Sequence, residues 1–178
     1  ILTTKSNYVQ RQHLPDEDWV AQEYDQVSSY LRSKGYGHYE VSNFALPGKE
    51  SRHNLKYWSG KSVAALGPSA TGLLARTQSA WRYKWKASGA VYELEHLQGP
   101  ELRLEKLYLS LRTDRGLDYI AFWKTVENIQ RFERLAQGWE GRQLAHVDQV
   151  GGKVTLTPAG FLLMDGLLNE VFSNFKDL

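Results

Sequence analysis

Six consecutive residues, His53-Asn54-Leu55-Lys56-Tyr57-Trp58, put an imidazole close to two large aromatic rings in a chain of 178 residues that has no cysteine. A neutral imidazole can ligate haem iron, and flat aromatic side chains can pack against a porphyrin. Arg52 and Lys56 flank the histidine and could meet the propionates of such a ligand through charge-assisted hydrogen bonds. The chemistry suggested is tetrapyrrole binding with His53 on the metal. The same string also reads as a surface histidine followed by a core anchor, since a Tyr-Trp pair after a loop commonly packs inward. Thiolates, the usual holders of iron–sulfur clusters, are missing throughout.

Two further stretches carry chemistry. Gly67-Pro68-Ser69-Ala70 is a small-residue turn, where backbone can approach a cofactor closely or simply leave a strand. From Trp81 to Lys86, Trp81, Tyr83 and Trp85 alternate with Arg82, Lys84 and Lys86, so an extended segment would have an aromatic face and a basic face. That pattern admits nucleic-acid binding or an aromatic seal between two units. No nucleophile elbow, phosphate-binding loop or zinc-spaced His/Glu pair occurs.

The elements that must position these residues follow from capping and periodicity. Asp16, after Leu14-Pro15, is an N-cap, and Val20, Tyr24, Val27 and Leu31 form one face of a helix that stops at Lys34-Gly35. His38 to Phe44 alternates as a strand, Leu46-Pro47-Gly48 turns, and the polar stretch 49–54 reads as a loop that delivers His53. Ser62 to Leu66 reads as a second strand. Helix, strand, loop, strand in this order predicts a parallel α/β sheet. Gly89 and Gln98-Gly99-Pro100 bracket a linker.

Beyond it, Leu104, Leu107, Tyr108 and Leu111 make a helix stripe, Asp114-Arg115-Gly116 turns, and Asp118 caps a helix carrying Ile120, Trp123 and Glu127. Gly151-Gly152 lies between two short strands, and Thr157-Pro158 opens a final helix that runs to Phe175. Helices, a two-stranded wing and a helix outline a winged-helix-like module. That final helix carries Asp165 and Glu170 but no Lys or Arg, which argues against phosphate contact.

Lys+Arg 22 against Asp+Glu 20 leaves a net charge of +2, too balanced to imply a polyanion as main partner. With 42% hydrophobic residues the chain can bury a core, and the absence of an apolar run of about 20 residues predicts a cytoplasmic protein. The first residue is Ile1 and the single methionine is Met164, so the chain reads as a piece of something longer.

From Tyr36 to Gly48, and on through Ser51-Arg52-His53-Asn54-Leu55-Lys56-Tyr57-Trp58, the sequence resembles radical S-adenosylmethionine proteins related to oxygen-independent coproporphyrinogen III oxidase. The resemblance continues through Leu66-Gly67-Pro68-Ser69-Ala70, Leu109-Ser110-Leu111-Arg112-Thr113, Gly116-Leu117-Asp118 and Leu156-Thr157-Pro158-Ala159-Gly160. Within that family, the His-Asn-x-x-Tyr-Trp string resembles the branch regarded as haem chaperones, the HemW-like proteins. Carried over residue by residue, it assigns haem binding to His53, Asn54, Tyr57 and Trp58, with His53 on the iron and Arg52 or Lys56 on the propionates.

The resemblance further implies an α/β fold, the last part of a partial radical S-adenosylmethionine β/α barrel, followed by a small, mainly helical, winged-helix-like domain. Its boundaries would be 1–76 for the barrel part, 77–99 for a connector and 100–178 for the C-terminal domain. The longer parent would hold a [4Fe–4S] cluster and S-adenosylmethionine, with Gly67, Ser69 and Ala70 near the latter. This chain lacks the cluster cysteines, and none of its residues is assigned a catalytic role. Thr71 stands where the family usually has histidine. The implied partners are haem or porphyrin and haem-requiring respiratory proteins, some of them membrane-associated, with room for a homodimer and none for nucleic acid. The alternatives are part of a coproporphyrinogen III oxidase, performing oxidative decarboxylation in porphyrin biosynthesis, and a nucleic-acid-binding winged-helix module.

Overall fold

A computed structural model describes residues 15–175. Residues 1–14 of the first expected unit, Leu14 among them, and 176–178 of the last lie outside the described residues.

The first helix starts where the sequence places it. Asp16 accepts the backbone N–H of Trp19 at 2.7 Å, α1 spans Glu17–Ser33, and Lys34 closes it. Its packed face differs from expectation, because Val20 and Val27 are exposed while Ser28 is buried and Tyr24 half-buried. The small Ser28 lets the helix approach the imidazole of His38, which lies 3.4 Å from its Oγ. Tyr24 then donates its hydroxyl proton to the carbonyl of Val41 at 2.8 Å, and burial pushes that phenol up to about 12, with Glu40 adding to the rise.

The expected strand from His38 to Phe44 is a tight hairpin, β1 (Gly37–Glu40) antiparallel to β2 (Asn43–Ala45). Alternation runs on across Val41-Ser42, which hides the turn in the sequence. His38 stacks on Phe44 at 4.0 Å between ring centroids and meets Phe161 edge-on at 5.1 Å. Burial lowers the pKa of His38 below its usual 6.5. The unfolded chain therefore binds that proton more readily than the folded one, and its contribution to stability, complete above pH 6.5, is lost as pH falls through the depressed value. We expect the thermal midpoint to drop between pH 7.5 and 5, and His38→Gln, which cannot titrate there, to flatten that part of the profile.

Helix α2 (Arg52–Trp58) occupies what the sequence reads as the end of a loop. Ser62 to Leu66 forms no strand; Val63 makes a single antiparallel bridge to Leu73. Most of the span expected as a connector, 77–99, is taken up by β4 (Ser79–Trp85) and β5 (Tyr92–Gln98), which join β3 (Thr71–Ala75) in a meander with β4 in the middle and Gly89 in the turn between its last two strands. Leu73, Ala80 and Leu97 form its buried face, against which Leu102 packs. Every ladder among the described residues is antiparallel, so the parallel sheet expected from element order does not occur in them.

Then come α3 (Gly99–Leu111), β6 (Leu117–Asp118), α4 (Tyr119–Trp123), α5 (Val126–Gly141), β7 (Ala145–Asp148), β8 (Lys153–Leu156), α6 (Pro158–Leu162) and α7 (Met164–Asn174). Asp118 caps α4 as expected, but the helix breaks at Lys124, and Thr125 caps α5 anew. The last helix likewise divides at Leu163. The strands order β6-β8-β7, all antiparallel.

The main core lies here, with Leu107, Leu111, Phe132, Trp139, Val154 and Val171 fully enclosed. Rings supply much of it: Trp123 stacks on Phe175 at 4.0 Å, and Phe132 meets Trp139 edge-on at 5.7 Å. At roughly 150–250 Å² buried per ring, each contributes on the order of 4–6 kcal/mol before entropy is subtracted. No helix among the described residues is long and apolar enough to cross a membrane.

Candidate functional site

Helix α2 is built by its ends rather than by an apolar stripe. Ser51 accepts the N–H of Asn54 on its Oγ at 3.3 Å, which caps the first turn. At the other end Gly60 takes φ +65, its N–H bonds to the carbonyl of Tyr57 at 3.0 Å, and the N–H of Lys61 reaches the carbonyl of Lys56 at 3.3 Å. These two reversed bonds are a Schellman closure, which needs a left-handed residue and so favours glycine. The helix therefore has a defined start and stop within seven residues.

On this helix His53 is exposed. It lies in a surface depression of about 530 Å³ together with Arg52, Leu55, Lys56, Ser59, Lys61 and Arg115. Four cations and no carboxylate line it. None of the four is in the ion pairs found among the described residues, although those pairs engage Arg82, Lys86 and Arg142. The expectation of Arg52 and Lys56 beside the histidine thus matches their placement; Lys61 and Arg115 are additions that sequence distance conceals.

The other members of the motif point elsewhere. The side-chain amide of Asn54 donates to the hydroxyl of Tyr39, a residue buried in β1, at 3.4 Å. Trp58 packs edge-on to Tyr57 and lies under the guanidinium of Arg112, 4.7 Å from the ring centroid. Arg112 also donates to the hydroxyl of Tyr108. Tyr57 faces a separate cleft with Thr71, Arg82 and Tyr108, and burial lifts its phenol above the ordinary range, with Glu105 reinforcing the shift. Neither Tyr57 nor Trp58 lines the depression that holds His53. The geometry instead makes Asn54 and Trp58 anchors, fastening α2 to β1 and to the end of α3.

Gly67, Ser69 and Ala70 form the turn leading into β3. The N–H of Ala70 bonds to the carbonyl of Gly67 at 3.1 Å, and the carbonyl of Ala70 accepts from the N–H of Trp85 at 2.9 Å. Ser69 is exposed and holds φ +61. The next glycine has a packing reason: a Cβ on Gly72 would fall 2.3 Å from the ring of Tyr83, whose hydroxyl accepts the N–H of Ala65 at 2.8 Å. Trp85 donates its indole N–H to the carbonyl of Ala65 at 2.9 Å. The aromatic face of β4 therefore holds the 63–70 segment down.

On its basic face Arg82 is paired with Glu95 and Glu105, each at 2.8 Å, and Lys86 with Glu93 at 3.5 Å. Two of the three cations in the row thus have carboxylate partners. Among the described residues there is no group of three or more His, Cys, Asp or Glu side chains able to hold a metal ion.

No family model matches the chain, and no solved structure does. Curated proteins do. The heme chaperone HemW of Bacillus subtilis (strain 168) is 41% identical over 175 residues, which cover 93% of this chain and 45% of that protein. The heme chaperone HemW of Mycobacterium tuberculosis (strain ATCC 25618 / H37Rv) is 32% identical over 166 residues, 88% of this chain and 40% of that protein. The radical S-adenosyl methionine domain-containing protein 1, mitochondrial, of Mus musculus is 31% identical over 142 residues, 71% of this chain and 30% of that protein. The chain spans less than half the length of these relatives. By this shared sequence, running through most of its own length, the chain belongs with the HemW-like radical S-adenosylmethionine proteins.

Proposed function

We propose that this chain is part of a haem chaperone that binds haem through His53 and passes it to haem-requiring respiratory proteins. One observation carries the reading: an exposed imidazole lining a depression whose charged side chains are all cationic. Haem offers a metal that accepts an imidazole nitrogen and two propionates that attract cations. His53 would hold the iron, Arg52 and Lys56 the propionates. Asn54 and Trp58 belong to the site as residues that fix the helix carrying His53, and Tyr57 through its packing on Trp58. The names of the relatives favour this reading over the oxidase alternative.

A [4Fe–4S] cluster and S-adenosylmethionine belong to the proposed whole protein. The cluster does not fit this chain, which offers no cysteine. Gly67, Ser69 and Ala70 would lie near S-adenosylmethionine through close approach of their backbone, although the Ala70 amide and carbonyl are themselves engaged within the fold. For the architecture we propose the end of a β/α barrel over 1–76, a connector over 77–99 and a winged-helix-like domain over 100–178. The order α3-β6-α4-α5-β7-β8 with strands ranked β6-β8-β7 supports the last part.

The test is a haem titration of the protein and its His53→Ala variant. An axial imidazole sets the ligand field of the iron, so the Soret maximum of the bound form should move on substitution. An unchanged maximum in His53→Ala removes His53 as ligand.

A further inference from the structure

We infer that Lys61 and Arg115 form a carboxylate clamp on the same depression, so that a tetrapyrrole is gripped by both halves of the chain and not by α2 alone. This rests on the haem reading of His53. The four cations come from three places: Arg52 and Lys56 from the helix, Lys61 from just beyond its end, and Arg115 from the turn between α3 and β6.

Both added residues stand on fixed backbone. Lys61 is held by the Schellman closure at Gly60, through its own N–H. The turn bearing Arg115 is tied to the first hairpin by two hydrogen bonds. The N–H of Asp114 bonds to the carbonyl of Tyr39 at 3.1 Å and the N–H of Val41 bonds to the carbonyl of Arg112 at 3.1 Å, and together they make an antiparallel bridge between Glu40 and Thr113. Tyr39 thus supports both walls, since its hydroxyl accepts from Asn54 on α2 while its carbonyl accepts from the turn.

A cationic rim with this much backbone organisation and no carboxylate of its own accumulates positive potential, which an anion would relieve. Asp114, adjacent to Arg115 in sequence, makes no ion pair with it within 4 Å, although Arg115 is near enough to oppose the rise that burial imposes on the Asp114 carboxyl. The ligand chemistry that satisfies the whole rim is a flat macrocycle carrying two or more carboxylates, with its metal toward His53.

Three probes separate the roles: haem, haem dimethyl ester, and iron-free protoporphyrin IX, titrated into the wild-type protein and into Lys61→Ala/Arg115→Ala. The double variant should bind haem about fivefold to twentyfold more weakly, as expected from losing two exposed ion pairs. Its bound Soret maximum should stay where it is, and the ester, which has no carboxylates, should bind both proteins alike. Equal haem affinity in the two proteins overturns the clamp. So does an equal loss for acid and ester, which would mean a disturbed fold. Iron-free protoporphyrin IX keeps the carboxylates and lacks the metal, so it should lose affinity in the double variant but not in His53→Ala. That arm reads the clamp even if His53 proves not to be a ligand.

Discussion

Trp139→Ala should remove about 3–5 kcal/mol of stability, a large fraction of the roughly 5–15 kcal/mol that keeps a domain folded. Trp139 has no solvent exposure, meets Phe132 edge-on, and donates its indole N–H to Glu170 at 2.9 Å. Truncation opens a cavity that the flanking helices cannot close, and it takes a donor from a carboxylate otherwise served by Arg142 at 2.9 Å. Trp139→Phe separates the two effects, since it keeps most of the ring and loses only the donor. Urea unfolding followed by far-ultraviolet circular dichroism should place Trp139→Phe between the wild type and the alanine variant. Coincident curves for the two variants would mean that the hydrogen bond, not the packing, dominates.

Gly116→Ala should cost about 2–4 kcal/mol, and it should also weaken haem binding without touching the ligand. Gly116 holds φ +67, and a Cβ there would fall 2.1 Å from the carbonyl oxygen of Val154 in β8. Backbone must therefore move. The displaced turn is the one that carries Arg115 and hydrogen-bonds to Tyr39. Thermal unfolding and a haem titration on the same preparation check both parts. A stable variant with wild-type affinity would show that the turn can relax freely and that its position is irrelevant to the depression.

Much of the fold was legible because short-range chemistry decided it. Asp16, Asp118 and Thr157 each accept a backbone N–H three residues on, where a capping residue should. Gly151-Gly152 marks the β7–β8 hairpin, which pairs Asp148 with Lys153 as the spacing requires. Failures came where one local signal masked another. Alternation from His38 to Phe44 continues across a turn, so two strands look like one. Residues 49–54 are polar and read as loop, although Ser51 and Gly60 together bracket α2. The meander is hidden in the sequence because β5 alternates exposed Tyr92 and Leu94 with Glu93 and Glu95, which marks no buried face.

The candidate site was half legible. His53, Arg52 and Lys56 are neighbours in sequence and in space, whereas Arg115 reaches the same depression through a long-range pairing that no local pattern encodes. In the sequence, their flatness assigns Tyr57 and Trp58 to the ligand, whereas neither lines the depression with His53. Helical geometry, with about 100° between successive side chains, turns Trp58 away from His53 and toward Arg112. A half-buried cation over that indole is a signal available only in three dimensions.

The meander has one consequence for how the molecule behaves in company. Val63 covers part of the outer side of β3, while β5 presents an open ladder edge to solvent. Such a rim invites another copy to add a strand. Glu93 and Glu95 stud it with charged side chains paired to Lys86 just beyond β4 and to Arg82 on it, which an incoming strand would have to desolvate, so self-templated stacking is disfavoured without any element being spent on covering the edge.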